Sequence, residues 1–97
     1  MLNQVILVGR IIEIIKSEDE NTVSIILSMP RTYKNDDGLY YKDFIECILN
    51  EDFYNKSSSS LKKLDIIGIK GRLENIELNS KTVVIVEKLT YLSCGKE

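Results

Sequence analysis

Tyr40-Tyr41-Lys42-Asp43-Phe44-Ile45-Glu46-Cys47-Ile48-Leu49 is the stretch on which the fold turns. Side chains in a strand alternate between two faces. One face here carries Tyr41, Asp43, Ile45, Cys47 and Leu49. The other carries Tyr40, Lys42, Phe44, Glu46 and Ile48. Ile45, Cys47 and Leu49 suit a packed interior, and Tyr41 is expected to turn inward with them. Tyr40, Lys42 and Phe44 set two aromatic rings around a cation on the opposite surface. Asn50 follows as an N-cap residue, with Glu51 and Asp52 in the first turn, where a helix start favours negative charge. A strand therefore runs into a short helix at the middle of the chain.

Outward from this point, the flanks read as strands. Gln4 to Ile15 opens the chain, with Val5, Leu7, Gly9 and Ile11 on one face and the equally apolar Ile6 and Val8 on the other. An apolar outer face calls for a cover beyond the domain's own core. Ile11-Ile12-Glu13-Ile14-Ile15 breaks the alternation, which predicts a bulge or bend. Thr22 to Met29 is the second strand, ended at Pro30 because proline cannot donate to a ladder. A loop from Pro30 to Leu39 holds the turn signal Asn35-Asp36-Asp37-Gly38. Beyond the centre, Phe53, Ser57, Leu61 and Leu64 match a weak helical stripe. Asp65 to Glu74 and Thr82 to Leu92 are the last two strands, joined through a tight turn at Asn79-Ser80. Gly9, Gly68 and Gly71 mark bending or close backbone approach.

Three strands, a helix and two strands fit a five-stranded OB-fold barrel, whose helix lies between strands three and four. A sandwich wants about seven strands. The 97 residues are expected to form one OB domain over 1–93 with a short tail at 94–97.

The net charge of −2 argues against strong affinity for any polyanion. The acidic clusters Glu18-Asp19-Glu20, Asp36-Asp37 and Glu51-Asp52 fall between the strands, so a locally basic groove is still open. The chain has no histidine and no paired cysteines, so no metal or cofactor is expected. Cys47 reads as a buried free thiol. No phosphate-binding loop is present, and Ser57 to Ser60 lacks a nucleophile's context, so the chain is not expected to be an enzyme. Asp36-Asp37-Gly38 has too few ligands for calcium. The short N-terminal apolar run resembles neither a signal peptide nor a membrane span, which implies a reducing cytoplasm and no membrane partner.

Met1 to Arg10, Asp43 to Cys47, Leu61 to Leu73 and Val84 to Leu92 together resemble the bacterial single-stranded DNA-binding protein family, over nearly the whole chain. The resemblance implies an OB barrel that binds single-stranded DNA in replication, recombination or repair, located in the bacterial cytoplasm with the nucleoid. It places stacking aromatics at Phe44 and Tyr33, with Tyr40 as a third candidate. Arg10, Arg31, Lys34, Lys42, Lys70 and Arg72 are candidates to follow the phosphates. Assembly into a dimer or tetramer through the first strand is implied, with Gln4, Ile6 and Val8 at the interface. Asn50 and the Ile76–Leu78 region lack aromatics found in the family. The family's acidic, Phe-ended tail is expected to be missing, and with it that route to partner enzymes. Weaker or shorter-footprint binding follows from these departures. The rival reading is an accessory OB module of a replication or primosome complex with weak or no DNA binding.

Overall fold

The structure, a computed structural model, describes residues 1–58, 61–77 and 81–95. Five strands and one helix follow in the order β1 (Val5–Ser17), β2 (Thr22–Lys34), β3 (Tyr40–Asn50), α1 (Glu51–Ser58), β4 (Ile66–Glu77) and β5 (Lys81–Ser93). The strands close into a barrel in the order β1-β2-β3-β5-β4. Every pairing is antiparallel except β3–β5, which runs parallel through Cys47↔Val84 and Ile48↔Ile85.

β1 serves two neighbours. Val5 to Arg10 pair with Gly71 to Ile66 of β4, while Arg10 to Ser17 pair with Ser28 to Thr22 of β2. The changeover coincides with a register shift between Ile11 and Glu13, where the sequence loses its alternation. A bulge adds twist and lets one long strand belong to both sides of a small barrel. Asn3 extends the β4 pairing through its side chain: its amide donates to the Leu73 carbonyl (3.0 Å) and accepts from the Leu73 N–H (2.9 Å).

The core holds Ile11, Val23, Ile25, Leu27, Cys47, Leu49, Ile67, Ile69, Val84 and Val86. Cys47 is fully buried, and burial pushes its thiol up to about 12. Helix α1 closes one end of the barrel. Asn50 caps it as expected, with Oδ1 accepting from the Asp52 N–H at 2.7 Å. The Glu51 N–H donates to the Asn21 carbonyl in the β1–β2 turn (2.9 Å), which pins the helix start. Tyr54 is the helix residue sealed into the core. Leu61 is buried too, but it and Leu64 lie beyond the helix, so the expected stripe is not a helical one. The parallel closure is held near α1 by an ion pair between Lys81 and Glu46, which also accepts from the Ser24 hydroxyl at 2.9 Å.

Two expectations are corrected by the opposite end. Pro30 does not terminate β2: it pairs with Lys42, and the strand reaches Lys34 after an irregularity. From Pro30 onward β2 no longer has β1 beside it, so the missing N–H breaks no ladder there. Tyr41 does not pack inward. The β2–β3 hairpin projects past the end of the barrel, and Tyr41 is 52% exposed because no core lies beneath it. The turn forms where the sequence places it. Asn35 Oδ1 accepts from the N–H groups of Asp37 and Leu39, both at 2.9 Å, and Gly38 takes φ +80°, which glycine adopts without strain. The expected turn at Asn79-Ser80 lies outside the described residues.

Candidate nucleic-acid interface

The projecting hairpin divides the candidate residues between two faces. On the outer face, register partners form a row across the barrel: Ile66 opposite Arg10, Arg10 opposite Ser28, and Ser28 opposite Phe44. The next row toward the hairpin tip contains Pro30 and Lys42. Phe44 is 61% exposed, a flat apolar ring where β3 passes from the packed barrel into the projecting hairpin. Beside it runs a cleft of about 470 Å³ whose walls include Val8, Arg10, Ile12, Ser28, Pro30 and Lys42. Arg10 Nη1 donates to the Leu64 carbonyl at 3.2 Å, which steadies its guanidinium at this cleft. Among the described residues, no carboxylate lies within ion-pair reach of Lys42. Nearer the tip, Lys34 Nζ sits 5.5 Å from the centre of the Tyr40 ring.

The core-side face of the hairpin holds a separate cluster. Arg31 grips Asp43 through Nε (3.2 Å to each carboxylate oxygen) and Nη2 (2.9 Å to Oδ1). Its Nη1 donates to the Tyr33 hydroxyl at 3.2 Å. The guanidinium carbon lies 6.0 Å from the Tyr33 ring centre and 5.6 Å from that of Tyr41, within cation–π range of both. The Arg31 hydrogen bond holds the Asp43 carboxyl below its ordinary range, and the same bond raises the Arg31 guanidinium above its own.

The predicted residues thus fall into groups. Phe44, Lys42 and Arg10 come together, with Tyr40 and Lys34 on the same face toward the tip. Tyr33 and Arg31 are together on the reverse face. Arg72 belongs to neither group: on β4 its Nε donates to Glu74 (2.9 Å) and its Nη1 to Glu87 (3.2 Å), so its charge is met within the protein. Lys70 lines a shallow cavity of about 240 Å³ with Ile6, Val8 and Lys88, on the outer face of β1, β4 and β5. Ile6 and Val8 are 72% and 58% exposed there, and Gln4 is exposed just ahead of them. Tyr41 and Asp43 were not singled out as site residues from the sequence. A register counted back from the Asn35–Gly38 turn through Lys34 and Tyr40 sets Arg31 across from Asp43, which was the available signal, although the pairing shifts between Lys34 and Pro30. Among the described residues, no cluster of histidine, cysteine, aspartate or glutamate could hold a metal ion. No helix among them is long and apolar enough to cross a membrane.

No protein-family model and no curated protein matches the chain. Solved structures do. A small single-stranded DNA binding protein from Mycoplasma pneumoniae aligns with TM-score 0.68 and 22% identity over 92% of each chain. The single-stranded DNA-binding protein of Plasmodium falciparum, solved with single-stranded DNA, aligns with TM-score 0.69 and 15% identity over 96% of each. The dimeric N-terminal domain of PriB protein from Thermoanaerobacter tencongensis aligns with TM-score 0.68 and 18% identity, over 93% of this chain and 96% of that one. The barrel has the OB fold. At these identities the likeness is one of fold, and the interface has to be argued from this chain's own residues.

Proposed function

We propose that the protein binds single-stranded DNA without reading its sequence, across the outer face of the β2–β3 hairpin and the adjoining cleft. The observation that carries this reading is Phe44, an exposed ring between Lys42 and Arg10 on an OB barrel. Every base has a π-face, so stacking on such a ring is indifferent to sequence and adds about 1–3 kcal/mol per base. Lys42 and Arg10 are placed to take phosphates either side of the stacked base, and Tyr40 offers a second ring once Lys34 moves aside. The duplex keeps its bases paired and stacked, so it cannot use the rings. These roles belong to replication, recombination or repair in a cytoplasm, and none of them is catalytic.

The test is a competition between a single-stranded oligonucleotide and its duplex at two salt concentrations, followed by tyrosine fluorescence. Preference for the single strand is expected, with log affinity falling by about 0.7 per phosphate contacted for each decade of salt. Equal affinity for the duplex, or no binding at low salt, overturns the reading. A protein-interaction module without DNA binding is the second reading. It is favoured by one observation, that Arg31 and Arg72 are both neutralised by the protein's own carboxylates. Capture of a protein partner together with absent DNA binding would decide for it.

Self-association belongs to the same proposal. β2 pairs with β1 only from Arg10 onward, so among the described residues the second edge of Val5 to Gly9 has no ladder partner. Next to that edge stand the exposed Ile6 and Val8. A second copy of β1 satisfies the open edge and covers both side chains in one contact. Light scattering is expected to find wild type as a dimer or tetramer and Ile6→Glu as a folded monomer. A monomeric wild type, or an Ile6→Glu variant that keeps its assembly, removes this interface.

A further inference from the structure

The core-side cluster on the hairpin has the parts of a nucleic-acid contact, yet all of them are engaged with one another. Arg31 spends its Nε and Nη2 edge on Asp43, the forked edge with which a guanidinium grips a phosphate. Its guanidinium carbon lies 6.0 and 5.6 Å from the centres of the Tyr33 and Tyr41 rings, so the group stands beside two rings, 58% and 52% exposed, that bases would stack upon. Both Arg31 and Asp43 are nearly half exposed, so the pair is open to competing anions.

Resting on the proposed DNA binding, we propose that Asp43 is an internal stand-in for phosphate, which keeps the Arg31–Tyr33–Tyr41 face latent until a backbone phosphate displaces it. The outer face, with Phe44 and Lys42, binds first and brings the strand to the hairpin. A phosphate then exchanges with the Asp43 carboxylate on the Arg31 fork. The phosphate so held brings its neighbouring bases onto the exposed Tyr33 and Tyr41 rings on either side of Arg31. Asp43 sets the threshold of this second contact: short strands that reach one face only leave it in place, and longer ones displace it and use both. The exchange is between two anions on one cation, so it makes and breaks no covalent bond.

The direction of one substitution tests the idea. Asp43→Asn keeps the side chain's size and removes the competing charge. It is expected to raise affinity for an oligo(dT) long enough to span the hairpin by up to about five-fold, the worth of one exposed ion pair. In an Arg31→Gln background the same Asp43→Asn change should have little effect, because the gain passes through Arg31. Three outcomes overturn the proposal while leaving DNA binding in place: unchanged affinity, lower affinity, or an equal gain in the Arg31→Gln background. Loss of binding by wild type and variant alike overturns the binding reading and this proposal with it. Were Asp43→Asn to misfold, the Arg31 Hε resonance of the wild type, followed during oligo(dT) titration, reads the same exchange. A resonance that stays put while oligo(dT) binds rejects it.

Discussion

Phe44→Ala is expected to bind a single-stranded oligonucleotide about 5- to 150-fold more weakly than wild type, while its unfolding transition stays where it was. The range follows from about 1–3 kcal/mol for one base–aromatic stack and about 1.4 kcal/mol for each factor of ten. The two halves of the prediction separate binding from folding. Phe44 is 61% exposed and outside the buried core, so its removal leaves no cavity. A fluorescence titration paired with a thermal melt checks both. If affinity is unchanged and the melt is intact, DNA does not lie across this face. If both fall together, Phe44 is holding the barrel, and the stacking argument loses its footing. Phe44→Tyr keeps the ring and should restore most of the affinity.

Gly71→Ala is expected to destabilise the barrel strongly. A Cβ at Gly71 would lie 2.1 Å from the Ile85 carbonyl oxygen and 3.2 Å from Val84 Cγ1. The nearest atom is backbone in the paired strand, so no rotamer change relieves the clash. Position 71 sits between Val5 of β1 and Val86 of β5, next to a register shift at Lys70. To make room, β4 and β5 must part where the barrel turns its corner. A cost of about 3 kcal/mol is expected, at the upper end for overpacking, and domains of this size commonly have only about 5–15 kcal/mol in total. Urea unfolding should show a lower midpoint at unchanged slope. Gly68→Ala is the control: its Cβ would meet nothing nearer than Leu92 Cδ1 at 3.8 Å, so it should shift the midpoint little. Equal effects at the two sites would mean that strand propensity, not the close approach at Ile85, sets the cost.

Much of the barrel was legible because strand parity reports burial directly. The alternation of Ile45, Cys47 and Leu49 placed β3, and its failure at Ile11 to Ile15 placed the bulge. The Asn50 cap fixed the helix start within one residue. Parity misled at Tyr41, since it says which way a side chain points and not whether anything is there to meet it. Past the barrel end, the core-facing side of the hairpin faces water. Pro30 misled for a related reason: a proline rule that holds inside a sheet fails where the strand has become an edge. The division of the site was hidden by the same geometry. Tyr33 and Phe44 both read as stacking rings, but their positions fall on opposite faces of one hairpin. The Arg31–Asp43 fork was recoverable only from the hairpin register, and Arg72's two carboxylate partners come from different strands.

The division of β1 between two neighbours also sets how the chain must fold. Val5 to Arg10 find their partners in Ile66 to Gly71, across most of the sequence. Loop-closure entropy has to be lost before that pairing returns any burial, and topologies dominated by such distant pairs fold slowly. During synthesis the hairpin of β2 and β3 can form early, because its partners are local. The first strand cannot: until β4 leaves the ribosome, a segment apolar on both faces waits with its natural neighbour still unmade. The nascent chain's most exposed interval is set by that single long-range pairing, and anything that shields Val5 to Gly9 in the meantime protects the whole product from aggregation.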